Sequence, residues 1–136
     1  MSSPAIVSVT FDDGFRSQFE NALPVLSRHH LLATFFLIAN REAPHDRRLG
    51  HTSDWWKIDW RDDDIEMLKQ LVMDGHEIGS HSVTHHPEVM PTQADVEARD
   101  SKRLIEQWIG TTVTSFCYPF YLSHALSCYC RNERRI

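Results

Sequence analysis

The sequence has few of the features that mark several large classes of protein. Its three cysteines, Cys117, Cys128 and Cys130, are odd in number and clustered near the C-terminus, which argues against a disulfide framework and favours reduced thiols. No apolar run is long enough for a membrane span, and the first residues lack the basic segment and apolar core of a signal peptide. We therefore expect a cytoplasmic protein with no membrane partner.

Positive charge is also scarce. The sequence has 14 Lys and Arg residues against 19 Asp and Glu residues, and its formal net charge is -5. Such a chain offers no general basic field for phosphate backbones, so we expect no nucleic acid partner. Its 136 residues, 41% of them hydrophobic, can bury one core. The composition therefore predicts a single globular domain or part of one.

Short apolar runs alternate with helical patterns along the chain. Four runs are strand-like, at residues 5–10, 33–38, 77–80 and 113–118. Helical patterns lie between them, at residues 15–28, 63–74 and 92–109, and Thr92 with Asp95 resembles a capping box at the start of the last one. This alternation predicts an α/β fold with a parallel sheet.

Two pairs of polar side chains follow strand-like runs. Asp12 and Asp13 come after the first run, and His81 and His85 come after the third. The carboxyl ends of parallel strands meet at one edge of a sheet, so these side chains are expected to lie close together. The two histidines are four residues apart, a spacing that lets both reach one ion, and Asp13 would supply a third ligand. Three protein ligands, with further coordination positions left for water and substrate, are typical of a catalytic metal site.

Ordinary structural roles account for some of the same residues. Aspartate and glycine at residues 12–14 are common in turns. The sequence also has nine histidines, although only His81 and His85 are four residues apart. Three tryptophans, Trp55, Trp56 and Trp60, could stack on sugar rings, but large aromatic side chains more often pack in a core, and we favour packing.

The order and spacing of two motifs resemble the NodB-type polysaccharide deacetylases, a class of carbohydrate esterases. Residues 10–14 read Thr-Phe-Asp-Asp-Gly, and residues 75–85 read Gly-His-Glu-Ile-Gly-Ser-His-Ser-Val-Thr-His. The resemblance implies a distorted (β/α) barrel, truncated here after about four strands. It assigns residues 1–120 to a partial deacetylase domain and residues 121–136 to a tail outside the family. It also implies a metal-dependent hydrolase that removes acetyl groups from an acetylated polysaccharide or amino sugar.

The resemblance also implies a role for each residue of these two motifs. Asp12 would act as the catalytic base, while Asp13, His81 and His85 would bind a divalent metal ion, with zinc as the expected ion. Ser82 would help to orient the histidine segment.

A third motif of the family corresponds to residues 117–121, Cys-Tyr-Pro-Phe-Tyr. Here the resemblance assigns Phe120 and Tyr118 to the oxyanion and substrate-binding region, with the Phe120 backbone N–H in the oxyanion hole. Cys117 stands where the family usually has an arginine that holds the catalytic aspartate.

The family's histidine general acid has no counterpart in this sequence, because His124 comes too early. We therefore predict that metal binding survives better than turnover. The main alternative is a catalytically inactive remnant that binds metal or carbohydrate. A phosphoesterase is a third possibility, against which the acidic composition and the lack of a phosphate-binding loop argue. Open sheet edges in a truncated barrel also predict self-association.

Overall fold

A three-stranded parallel sheet lies at the centre of the structure. A computed structural model describes residues 5–40, 60, 62–85 and 91–119 of the chain. The strands are β1 (Thr10–Phe11), β2 (Thr34–Leu37) and β3 (Glu77–Ser80), and β2 lies between the other two. All pairs are parallel, so the carboxyl ends of the strands lie at one edge, and the predicted α/β class is confirmed.

Within the described ranges, three helices connect and flank these strands. A π-helical segment, Gln18–Ala22, leads directly into α1 (Leu23–Arg28), and α2 (Asp62–Met73) and α3 (Pro91–Ile109) follow. Helices α2 and α3 contact each other, and both contact β3. In the described part of the chain, none of the helices is both long and apolar enough to span a bilayer.

The core lies between the sheet and these helices. Its largest fully buried apolar side chains come from β2, α2 and α3: Phe35, Leu37, Leu68, Leu71 and Ile105. Strand β2 is the central strand, which explains why its apolar run has no polar alternation. Burial of these side chains is the main force that holds the carboxyl ends of the strands in place.

The first predicted strand is wrong in its extent. It was expected over residues 5–10, but β1 begins at Thr10, and Ile6 and Val7 are 93% and 84% exposed. An apolar run forms a strand only where a partner strand accepts it, and the contact with β2 starts with the hydrogen bond from Thr34 N to Val9 O, 3.0 Å long.

The fourth predicted strand, over residues 113–118, is reduced to one bridge. Ser80 pairs with Phe116 in parallel, through hydrogen bonds from Ser80 N to Ser115 O (3.0 Å) and from Cys117 N to Ser80 O (2.8 Å). The segment therefore runs beside β3 and brings Cys117 to the same edge as the other candidate residues.

The remaining predicted elements agree with the structure to within a few residues. Strand β3 has its predicted bounds, and β2 and α2 differ from theirs by one residue at each end. Helix α3 begins at Pro91, so Thr92 lies inside the helix and the predicted capping box is wrong. Gly110, with φ of 72°, follows the last helical residue, as predicted.

Candidate active site

Two short segments at the carboxyl edge of the sheet bring the predicted site residues together. Residues 12–14, here called the aspartate turn, follow β1, and residues 81–85, here called the histidine loop, follow β3. Strand β2 separates the two strands, and its last residue, Leu37, accepts a 2.8 Å hydrogen bond from His81 N. The two segments therefore meet across the end of β2.

Asp13 lies between the two histidines. Its Oδ1 atom is 3.3 Å from Nε2 of His81 and 3.0 Å from Nε2 of His85. One ligand atom from each of the three residues lies within 4.8 Å of the other two. The structure thus brings the three predicted ligands to one point, and their role as ligands stays a prediction.

The hydrogen bonding of His81 tests whether this point suits a cation. Its Nδ1 lies 2.9 Å from the backbone carbonyl of Cys117, and because a carbonyl can only accept, Nδ1 carries the proton. In the neutral ring Nε2 is then a lone pair that faces the Asp13 carboxylate. Among the described residues, no hydrogen bond reaches the buried Oδ1 of Asp13. When the His81 ring is neutral, its Nε2 and Asp13 Oδ1 are facing acceptors with no proton between them, and a bound cation would satisfy both. A carboxylate with two imidazoles is a donor set that zinc and related ions accept.

The charge state of Asp13 suits the same interpretation. Burial raises the pKa of this carboxyl, but His81 and His85, which act as hydrogen-bond donors and positive charges when no cation is bound, lower it by more, so its pKa lies well below its usual range. Asp13 is therefore ionised under ordinary conditions, as a metal-binding carboxylate must be.

Backbone strain is concentrated in both segments. Asp13, Ser82 and His85 have φ of 71°, 71° and 52°, in the left-handed region that residues with a Cβ atom seldom adopt. In the histidine loop, the Ser82 hydroxyl accepts a 3.0 Å hydrogen bond from His85 N, which agrees with the orienting role predicted for Ser82. Such strain persists only where surrounding contacts fix the conformation.

One residue that contacts the site was not predicted from the sequence. Glu97 of α3 is buried and accepts hydrogen bonds from Val83 N (2.8 Å) and Thr84 N (3.0 Å) at one oxygen and from the Thr84 hydroxyl (2.7 Å) at the other. The sequence does contain a signal for this. Glu97 and Ser101 fall on the helix face that also carries Ala94 and Ile105, and polar residues on a buried face require partners.

Asp12 lies beside this group and is exposed. Its backbone carbonyl accepts a 2.6 Å hydrogen bond from Gln18 Nε2.

Ligand-type atoms of Asp12, His81 and Cys117 also lie within 4.8 Å of one another. Burial and the nearby Asp12 and Asp13 carboxylates raise the pKa of the Cys117 thiol to about 11. The set with Asp13 is the better candidate, because its carboxylate Oδ1 lies 3.0 and 3.3 Å from two imidazole nitrogens.

The predicted oxyanion region is described only in part. Tyr118 is partly buried, and its ring lies edge-on to Phe116 with centroids 5.2 Å apart. Phe120 lies outside the described residues, as do Trp55 and Trp56. Trp60 is buried at 4% exposure and donates to the Ile38 carbonyl over 3.3 Å, so it packs in the core, as favoured from the sequence.

Comparison with known proteins identifies the family. The model of the polysaccharide deacetylase family matches residues 2–129, so the chain belongs to this family. YxkH of Bacillus subtilis (strain 168), named as a proposed polysaccharide deacetylase, is 29% identical over 119 residues, which are 86% of this chain and 37% of YxkH.

Solved structures agree in fold. The deacetylase PplD of Streptococcus pyogenes, solved with acetate, superposes with a TM-score of 0.69 at 20% identity over 95% of this chain and 53% of that chain. A CE4 family pseudoenzyme of Bacillus anthracis superposes with a TM-score of 0.63 at 20% identity over 93% of this chain and 40% of that one. The chain thus spans about half or less of the length of these proteins.

Proposed function

We propose that this chain is a metal-dependent hydrolase that removes acetyl groups from an acetylated polysaccharide or amino sugar. The observation that carries the proposal is the Asp13 carboxylate between two imidazole nitrogens, 3.0 and 3.3 Å away. Membership of the polysaccharide deacetylase family supports the reaction and the class of substrate. The substrate of this chain is then an acetylated glycan or amino sugar.

Asp13, His81 and His85 would hold the divalent cation, with zinc as the expected ion. When bound, such a cation lowers the pKa of a coordinated water to about 7 and polarises a carbonyl oxygen. The protein supplies the geometry. The Cys117 carbonyl fixes the proton of His81 on Nδ1, which leaves Nε2 to face the cation, 3.3 Å from Oδ1 of Asp13.

Asp12 would act as the base. Its carboxylate is exposed at the edge of the site and within 4.8 Å of a ring nitrogen of His81, so it can reach a water beside the cation. It would take the proton as the water oxygen bonds to the acetyl carbon. The carbon–nitrogen bond then breaks, the amine leaves with the proton that Asp12 took from the water, and acetate is released. The Phe120 backbone N–H and Tyr118 stay predicted contacts of the acetyl oxygen and substrate.

The Asp12→Asn variant tests the assignment of roles. The assay measures free amine released from an N-acetylglucosamine oligomer, with and without a chelator, together with Co²⁺ binding by calorimetry. Loss of the base should lower turnover by about 10² to 10⁴-fold while Co²⁺ affinity stays close to that of the parent. His29→Ala, which removes an exposed histidine at the end of α1, is the control. Turnover that survives both the chelator and the substitution would contradict the mechanism.

A second candidate function is a catalytically inactive module that binds metal or carbohydrate. Cys117 favours it, because a neutral thiol beside Asp12 cannot pair with the carboxylate as the family's usual arginine would. The Bacillus anthracis relative is itself described as a pseudoenzyme. Co²⁺ binding without chelator-sensitive release of amine, and gain of release in Cys117→Arg, would favour this candidate.

Several finer expectations stay proposals. They are the closure of the sheet into a distorted barrel, the domain boundary at residue 120, a cytoplasmic location, and self-association through open sheet edges. Sedimentation velocity tests the last of these directly. A monomer at all concentrations would contradict it.

A further inference from the structure

We propose that Glu97 is a positioning residue that fixes the histidine loop in the conformation that binds the cation. The inference rests on the proposed function, because it assumes that His81 and His85 act as ligands. It concerns a side chain on α3, a helix that carries none of the predicted ligands.

The contacts of Glu97 are all directed at the loop. In the described part of the chain, the three hydrogen bonds that it accepts come from Val83 and Thr84, which lie between the two histidines. One oxygen takes the two backbone N–H groups, and the other takes the Thr84 hydroxyl. A buried carboxylate needs such donors because it has lost its hydration. The backbone N–H groups of Val83 and Thr84 depend on Glu97 in turn, because it is the acceptor for both.

The carbonyl groups of the loop backbone are hydrogen-bonded by residues that follow β2. The carbonyls of Ser82 and Val83 accept hydrogen bonds from Ala39 N (2.9 Å) and Asn40 N (3.0 Å), directly after β2. The loop is thus held between the end of β2, which binds its carbonyls, and Glu97, which binds its amides. Loss of either set of hydrogen bonds would leave the positive φ angles of Ser82 and His85 supported by the other set alone.

A second contact from the same face of α3 lies one helical turn further along. Ser101 donates to the Ala98 carbonyl (3.0 Å), so in the 2.6 Å contact with Ser80 the Ser80 hydroxyl is the donor. Ser80 directly precedes His81. Helix α3 therefore contacts the chain on both sides of His81, through Ser101 before it and Glu97 after it.

Titration of the metal-free chain with Co²⁺ tests this inference, with calorimetry for affinity and visible absorption for the geometry around the ion. Glu97→Ala should weaken binding by about 10 to 100-fold and change the absorption spectrum, because the histidines lose their fixed spacing. Glu97→Gln should stay within about threefold of the parent, since its oxygen can accept from both amides and its NH₂ group can donate to the Thr84 hydroxyl.

Glu106→Ala is a matched control on the same helix. Glu106 also accepts a backbone N–H, from Val113 over 3.0 Å, but it does not contact the histidine loop, and Lys102 Nζ still holds the Val113 carbonyl in the variant. Its Co²⁺ affinity and spectrum should match those of the parent. Circular dichroism and thermal unfolding identify any variant that is not folded.

If Glu97→Ala does not fold, Glu97→Asp carries the test, because it keeps the charge and shortens the reach by one methylene. A folded Asp variant should bind Co²⁺ about tenfold more weakly than the parent. Parent-like affinity and spectrum in a folded Ala or Asp variant would overturn the inference and leave the proposed function intact. No Co²⁺ binding by the parent would overturn both.

Discussion

The histidine loop and the aspartate turn supply ligands to the same point but are held there by different forces. Hydrogen bonds hold the histidine loop, from Glu97, from the end of β2 and from its own Ser82. Packing holds the aspartate turn: an added Cβ at Gly14 would come within 2.8 Å of Leu37 and Trp60. Within the described residues, one side-chain hydrogen bond, from Gln18, supports its backbone.

The difference teaches which substitutions each segment tolerates. The conformation of the histidine loop depends on particular donors and acceptors, so substitutions that remove one of them should be felt there. The aspartate turn packs closely against the buried side chains of Leu37 and Trp60. Added volume there should therefore destabilise it. Both are strained at φ near 71°, so both need support from outside the segment.

The largest effect is expected from Gly14→Ala. The added methyl group would meet Leu37 Cδ2 and Trp60 Cζ2, each at 2.8 Å, and the residue would keep a φ of 74°. Left-handed strain and overpacking together should lower the free energy of unfolding by about 2 to 5 kcal/mol, as measured by urea denaturation.

Gly110→Ala separates the two causes in that prediction. Gly110 has nearly the same φ, 72°, but a Cβ atom there would meet nothing within 4 Å. This variant should therefore lose only the strain, about 1 to 2 kcal/mol. Equal losses in the two variants would mean that packing does not hold the aspartate turn.

The next effect concerns Cys117, which lies between the two segments. Burial and the carboxylates of Asp12 and Asp13 raise the pKa of its thiol from the ordinary 9.0 to about 11. Near pH 8 its thiolate fraction is therefore about a hundredfold lower than that of an ordinary cysteine. Alkylation by iodoacetamide, in a chain with Cys128→Ser and Cys130→Ser, should be correspondingly slow and should rise up to pH 11.

Asp12→Asn should move that profile back toward pH 9, because one source of the shift is removed. The stabilisation linked to the protonated thiol is fully present below pH 9 and is lost as the pH rises toward 11. Rapid alkylation of the folded parent near pH 8 would contradict the close approach of the carboxylates to this thiol.

The smallest effect is expected from Ser82→Ala, which removes the acceptor for His85 N. The loss of one hydrogen bond should lower the free energy of unfolding by about 0.5 to 1.5 kcal/mol. Ser27→Ala, an exposed position on α1, is the control and should have no measurable effect. A Ser82 variant as stable as this control would show that the loop does not depend on its internal hydrogen bond.

Strands and helices were predicted well where the whole apolar segment packs against a neighbouring element. Glu77–Ser80 lies beside β2 as expected, and the buried face of α2 includes Ile65 and Leu68. Ile6 and Val7 are equally apolar, but no strand among the described residues pairs with them, and they are exposed. Local pattern alone does not contain that information.

The site shows the same limit. Residue type and spacing predicted that Asp13, His81 and His85 would meet, because they follow the carboxyl ends of parallel strands in one sheet. The partners of Glu97 and of the Cys117 carbonyl were not predicted, although the position of Glu97 on a buried helix face indicated that it needs a partner. Such contacts depend on how α3 and the segment after it pack against β3.

The central claim is that Asp13, His81 and His85 together hold one divalent cation. Equilibrium dialysis of the metal-free chain against Co²⁺ or Zn²⁺, followed by elemental analysis, tests it most directly beside the Asp13→Asn variant. We predict one ion per parent chain and affinity lower by about 100-fold or more in the folded variant. A parent chain that binds no ion, or a variant that binds as tightly as the parent, would contradict the claim.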